Sequence, residues 1–157
     1  MPVTRIKDAQ RTKVYMAEDP SFYAQGGVFE EFSEFASFCK NLFVGLPPSF
    51  GNPKRPTVVI GTARAKTAGL AFPDYGIWKI LLARNEPFYR MHATHEASHL
   101  LSHRWCELNG RDYEPHGEIF TSVNLYLVWR HVDKSIAIAL RNSYRSHGVR
   151  VASFSDL

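Results

Sequence analysis

The sequence predicts an α+β fold in a single domain, and three observations carry that reading. Apolar residues recur at helical spacing from Val28 to Leu42 and again through much of residues 85–146. Between those regions lie three short runs rich in β-branched and apolar residues, separated by turn-forming residues. No internal repeat, low-complexity tract or shift in composition divides the chain. With 157 residues, 45% of them apolar and 22% charged, the chain suits one buried core across residues 1–157.

In chain order, residues 1–20 are expected to be extended or partly ordered. Val28, Phe32, Phe35, Cys39 and Leu42 recur at steps of three and four with Glu30, Glu31 and Glu34 between them, which predicts an amphipathic N-terminal helix. The stretch GLPPSFGNPKRP, Gly45 to Pro56, is too rich in proline and glycine to be anything but a loop. TVVIGT (Thr57 to Thr62), TAGLAF (Thr67 to Phe72) and IWKILLA (Ile77 to Ala83) follow, and predict a small, three-stranded, mainly antiparallel sheet. A helix is expected from Asn85, with Pro87 in its first turn, to about Trp105, ending before Asn109-Gly110. The next, Gly117 to His131, is apolar around most of its circumference and should be buried. Asp133 is placed to cap a last helix, in which Ile136, Leu140 and Tyr144 form one stripe and Lys134, Arg141 and Arg145 an opposite, solvated one. The tail VRVASFS would close as a strand or fray.

Composition narrows the function. No apolar run approaches the ~20 residues that span a bilayer, and the opening MPVTRIKDAQ lacks the apolar core of a secretory signal. A cytoplasmic protein is therefore expected. Cys39 and Cys106 belong to no CxxC pair and read as small buried hydrophobes. A net charge of +4 is too modest to argue for a nucleic-acid partner, and Lys134, Arg141, Arg145 and Arg150 carry no stacking or recognition signature. The oligomeric state is unread, although the apolar helix around Leu125 and Trp129 would offer an interface if one core cannot cover it.

The chemistry is concentrated in THEASHLLSH, Thr94 to His103. At 100° per residue His95 and His99 share a helix face one turn apart, so two imidazole nitrogens can converge on one ion at the ~2.0–2.1 Å of a zinc bond. Glu96 stands beside that face, where its carboxylate can act as general base on water. One HExxH is expected by chance roughly 0.02 times in this composition, so the motif is a signal. The competing reading is a polar helix face, and His92 and His103 speak for it by extending the histidine side.

A catalytic zinc takes three protein ligands. His103 is a poor third, since two turns of straight helix carry its Cα about 12 Å from that of His95. The HExxHxxGxxH spacing is absent, because Ser102 and Trp105 occupy the Gly and His positions. EPHGEIF, Glu114 to Phe120, offers a better one: the polar loop before it lets the chain reverse, and His116 would face back toward His99. Glu114 and Glu118 remain alternatives, Glu118 the stronger of the two.

Three short strands, HEASH on a helix and HGEIF opening the next helix resemble the SprT-like zincins, and in the possible glutamate ligand a minimal gluzincin. The opening DAQRTKVYMAED resembles that of an uncharacterised family of short actinobacterial HExxH metallohydrolases. The resemblance covers most of residues 57 to 131. It implies a zincin-like domain, a Zn2+ cofactor held by His95, His99 and His116, Glu96 as general base, and a peptide or protein substrate. Such a peptidase also supplies an oxyanion stabiliser, for which Tyr113, His103, Tyr126 and Arg130 are candidates. The substrate would lie along the edge of the sheet, at IWKILLA or TAGLAF, with Trp78 or Phe72 as a pocket wall. No zinc ribbon is appended, so a role on DNA is not implied. The alternative is a non-catalytic zincin-like module that binds a metal or a protein, which would have no need of Glu96.

Overall fold

The computed structural model describes residues 3–61, 78–153 and the backbone of 69–71. Its elements are α1 (Arg11–Ala17), α2 (Pro20–Gly26), β1 (Val28–Phe29), α3 (Phe32–Asn41), β2 (Thr57–Ile60), β3 (Gly69–Ala71), β4 (Lys79–Leu82), β5 (Phe88–Tyr89), α4 (Arg90–Asn109), α5 (Glu118–His131) and α6 (Lys134–Ser146). Helix and strand are mixed, as an α+β chain requires.

The N-terminal region is more regular than its sequence predicts. Helices of seven residues are marginal alone, but α1 buries Val14 and Ala17 in one apolar cluster with Leu140 and Tyr144 of α6. In α2, Asp19 accepts from the Ser21 amide at 2.8 Å, and Gly26 lets α4 approach so closely that a Cβ there would sit 2.5 Å from Met91 Cγ. Val28, read as the start of the amphipathic helix, lies instead in β1, paired antiparallel with Tyr89 of β5. Gly27, at φ 87°, breaks the helical path before it. The true start of α3 is marked by Glu34, whose carboxylate accepts from the Glu31 amide at 3.3 Å.

The three-stranded sheet has the order β2-β4-β3, and this corrects the expectation of a mainly antiparallel arrangement. β4 inserts between the other two, parallel to β2 and antiparallel to β3. Lys79–Leu82 of IWKILLA is thus the central strand, and among the described residues β2 and β3 form the edges. Trp78 packs edge-on to Phe43, and Phe72 lies outside the described residues.

The helix that carries HEASH begins at Arg90 rather than Asn85. Asn85 adopts φ 73° in the turn after β4, and Phe88 and Tyr89 are drawn into pairing with β1. The helix continues past Trp105 to Asn109 and stops at Gly110, left-handed at φ 61°. α4 packs against α2, α3, α5 and β3, and most of its residues are buried. It tolerates burial because its polar side chains bond to its own backbone: Thr94 to the Met91 carbonyl (3.0 Å), Ser98 to that of Thr94 (2.6 Å), Ser102 to that of His99 (3.3 Å).

α5 is buried except near Tyr126 and Trp129 and belongs to both apolar clusters. Asp133 caps α6, accepting from the Ser135 and Ile136 amides at 2.7 and 3.1 Å. The tail forms no strand through residue 153; it runs beside the start of α5, where the Ala152 amide donates to the Glu118 carbonyl at 3.1 Å. Among the described residues no helix is long and apolar enough to cross a membrane.

Candidate metal centre

One turn of α4 places His95 and His99 side by side, their ring centroids 5.1 Å apart. His116 reaches them from the turn before α5, at 5.5 Å from His95 and 4.6 Å from His99. Gly117 makes that turn possible: a Cβ there would sit 2.7 Å from Glu114 Cβ. One ligand atom from each histidine lies within 4.8 Å of the other two. Ligands of a tetrahedral zinc at ~2.05 Å are about 3.3 Å apart, so small side-chain shifts close the three around one ion.

The outer nitrogens of the rings are already engaged. His95 Nδ1 lies 2.6 Å from Glu18 Oε2, His116 Nδ1 2.7 Å from Asp8 Oδ2, and His99 Nδ1 3.3 Å from the Tyr113 hydroxyl. A carboxylate accepts only, so His95 and His116 carry their proton on Nδ1 and keep the Nε2 lone pair for the interior. His116 Nε2 is buried and has no hydrogen-bond partner. An orphaned acceptor facing two other imidazoles is what a metal ligand looks like without its ion, and a set of three neutral imidazoles suits a divalent transition metal.

Both carboxylates are themselves fixed. Glu18 is buried; its Oε1 accepts from Asn124 Nδ2 at 3.0 Å and, in a short bond, from the Tyr144 hydroxyl. Asp8 also accepts from the His116 amide at 3.3 Å, and Gln10 donates to the His116 carbonyl at 2.7 Å. The segment Asp8 to Glu18 thus straps two of the three histidines.

Burial and charge set opposite protonation tendencies. Burial disfavours the cation at all three rings, but at His95 the Glu18 charge and hydrogen bond outweigh it and raise the pKa. Glu18 is held low by the same partner, against its own burial. Burial, then the neighbouring His95 and His116, push His99 far below the ordinary histidine value, and burial followed by His95 lowers His116.

Two aromatic rings sandwich the centre. Phe120, fully buried, lies 4.6 to 5.0 Å from all three imidazoles. On the outer side Tyr15 of α1 stacks on His95 at 5.8 Å and tilts against His116 at 5.1 Å. Glu96 is buried, with Oε1 3.5 Å from His92 Nε2, and its charge is felt by His95, Tyr15 and Tyr23.

The other sequence candidates are placed elsewhere. Glu118 accepts from Arg111 at 3.5 Å, and Glu114 from the Ala9 amide and Arg150 at 3.0 and 2.9 Å; among the described residues neither joins the metal-ligating group. Tyr113 stands behind His99, and His103 packs against Tyr113 at 5.0 Å. Arg130 donates to the Tyr126 hydroxyl at 2.7 Å and to the Gly45 carbonyl. Asp8, Tyr15 and Glu18 had no motif to announce them beyond the resemblance of DAQRTKVYMAED, which contains all three. No family model, curated protein or solved structure matches the chain.

Proposed function

We propose that this chain is a zinc-dependent hydrolase of the SprT-like, HExxH type that cleaves peptide bonds, with His95, His99 and His116 as ligands and Glu96 as general base. The observation that carries the reading is the pair of carboxylates, buried Glu18 and half-buried Asp8, each holding the outer nitrogen of a different histidine while one ligand atom of each of the three rings converges. Bound zinc would lower the pKa of water and draw electron density from a carbonyl oxygen. Glu96 would take the proton from that water as it attacks and return it to the leaving amine nitrogen. Glu18 and Asp8 hold the ring tautomers, while Phe120 beneath and Tyr15 above keep bulk water from the imidazoles.

The test is metal content by plasma emission on chelator-free protein, beside His116→Ala and Glu96→Gln, followed by a peptide-library digest. Expected are about one zinc per chain in the wild type, its loss in His116→Ala, and retention with loss of cleavage in Glu96→Gln. A folded wild type that neither holds nor takes up zinc would end the reading. Zinc without hydrolysis in any library would favour a non-catalytic metal-binding or protein-interaction module.

A further inference from the structure

α1 brings more than a strap to the centre. Arg11 and Tyr15 stand one helical turn apart on it, on the same face. Tyr15 is 47% exposed while His95 and His116 beneath it are 3% and 4% exposed, so its outer face is the boundary between the centre and solvent. The Arg11 guanidinium carbon lies 5.6 Å from the Tyr15 ring centroid. A single aromatic ring thus separates a cation from the histidines.

The nearby carboxylates form no ion pair with that cation among the described residues. Glu18 is committed to His95, Asp8 to His116, Glu96 to His92 and Glu114 to Arg150. Arg11 is exposed and has no ion-pair partner among the described residues. Among the described residues its contact is with the Tyr15 ring, over which it lies. The Arg5 charge also reaches His99. An arginine fork presented on an aromatic face, with no internal acid to satisfy it, matches the planar, bidentate geometry of a carboxylate.

We propose that Arg11, presented over Tyr15, binds a carboxylate of the substrate close to the bond that is cut, so that the site selects acidic peptides. The carboxylate is a free C-terminus or an aspartate or glutamate side chain. This rests on the zinc reading of the centre.

Three succinyl hydroxamates test it, chelating through the hydroxamate and ending in alanine amide, alanine with a free carboxylate, or aspartate amide. Their affinities for zinc-loaded full-length protein are measured by calorimetry, with metal content determined on the same samples. At least one acidic probe should bind roughly tenfold tighter than the neutral amide, as one charge-assisted bond would give, with the preference shrinking as salt is added. Arg11→Gln, an exposed change, should erase the preference and leave the neutral probe's affinity unchanged. The tighter acid then identifies the source of the carboxylate. Acidic probes that bind no tighter than the amide, or a preference that survives Arg11→Gln, would overturn the proposal while the centre stands. Zinc retained with no probe bound would overturn it too; a wild type without zinc would remove centre and proposal together.

Discussion

Glu18→Gln isolates what the strap contributes to metal binding. The substitution keeps shape and removes one charge from a side chain that is buried and bonded to His95, Asn124 and Tyr144. A glutamine cannot satisfy that environment. With its nitrogen toward His95 it donates to Nδ1 and forces the proton onto Nε2, blocking the ligand; with its nitrogen toward Asn124 Nδ2, two donors face each other. Loss of a carboxylate behind a metal-binding histidine costs ten- to a hundredfold in affinity, about 1.4–2.7 kcal/mol. One donor conflict adds ~1–3 kcal/mol of lost stability in the metal-free protein. Competition with a chromophoric chelator gives the first figure, and thermal unfolding with and without zinc gives the second. At saturating zinc, a hundredfold weaker site should also shrink the metal's stabilising increment by about 2.7 kcal/mol. A folded variant whose zinc affinity stays within twofold of wild type would refute the reasoning that Glu18 acts through His95.

Other expectations follow from the same geometry. Zinc competes with the second proton, the one on Nε2 of the His95 cation, which the Glu18 charge favours by raising the pKa of the ring; chelator competition across pH should therefore show affinity falling as pH drops through that raised value, with the onset at lower pH in Glu18→Gln. Gly117→Ala introduces a Cβ 2.7 Å from Glu114 Cβ and 2.9 Å from its Oε2, so the denaturant midpoint should fall by an amount corresponding to ~1–3 kcal/mol, with weaker zinc binding as His116 shifts. Asp8→Asn should weaken zinc less than Glu18→Gln, because the Asp8 side chain is 21% exposed and water can replace part of what it supplies. Asp133→Ala removes the cap of α6 and should lower the melting temperature while zinc affinity is unchanged, which separates fold stability from the centre.

What the sequence made legible is what local pattern encodes. The α5 and α6 helices follow from apolar periodicity and from Asp133, and Gly110 ends α4 as its neighbours suggest. The sequence places the start of α4 too early because Asn85 and Pro87 have the form of a cap and first turn, whereas Asn85 turns at φ 73° and Phe88 and Tyr89 are taken by a two-residue pairing with β1 that no window of sequence can see. The direction of β4 depends on which strand lies beside it, a tertiary fact. His95, His99 and His116 were readable because a helical turn and a short reversal bring them together. The partners that orient them were not: Glu18 lies 77 residues from His95, and Asp8 108 residues from His116, in short helices and turns that carry almost no periodicity of their own.

The strap also sets an order of events in synthesis. Its side chains close contacts across separations of 77, 106, 108 and 126 residues, to His95, Asn124, His116 and Tyr144. Such closures are entropically costly and slow to form. As the nascent chain emerges, HEASH can become helical soon after it leaves the ribosome, but α1 has nowhere to dock until α6 has followed it. If the centre takes a metal, a fully oriented site is therefore a late product of synthesis: two histidines are presented early, and the carboxylates that fix the ring tautomers dock with the last helix.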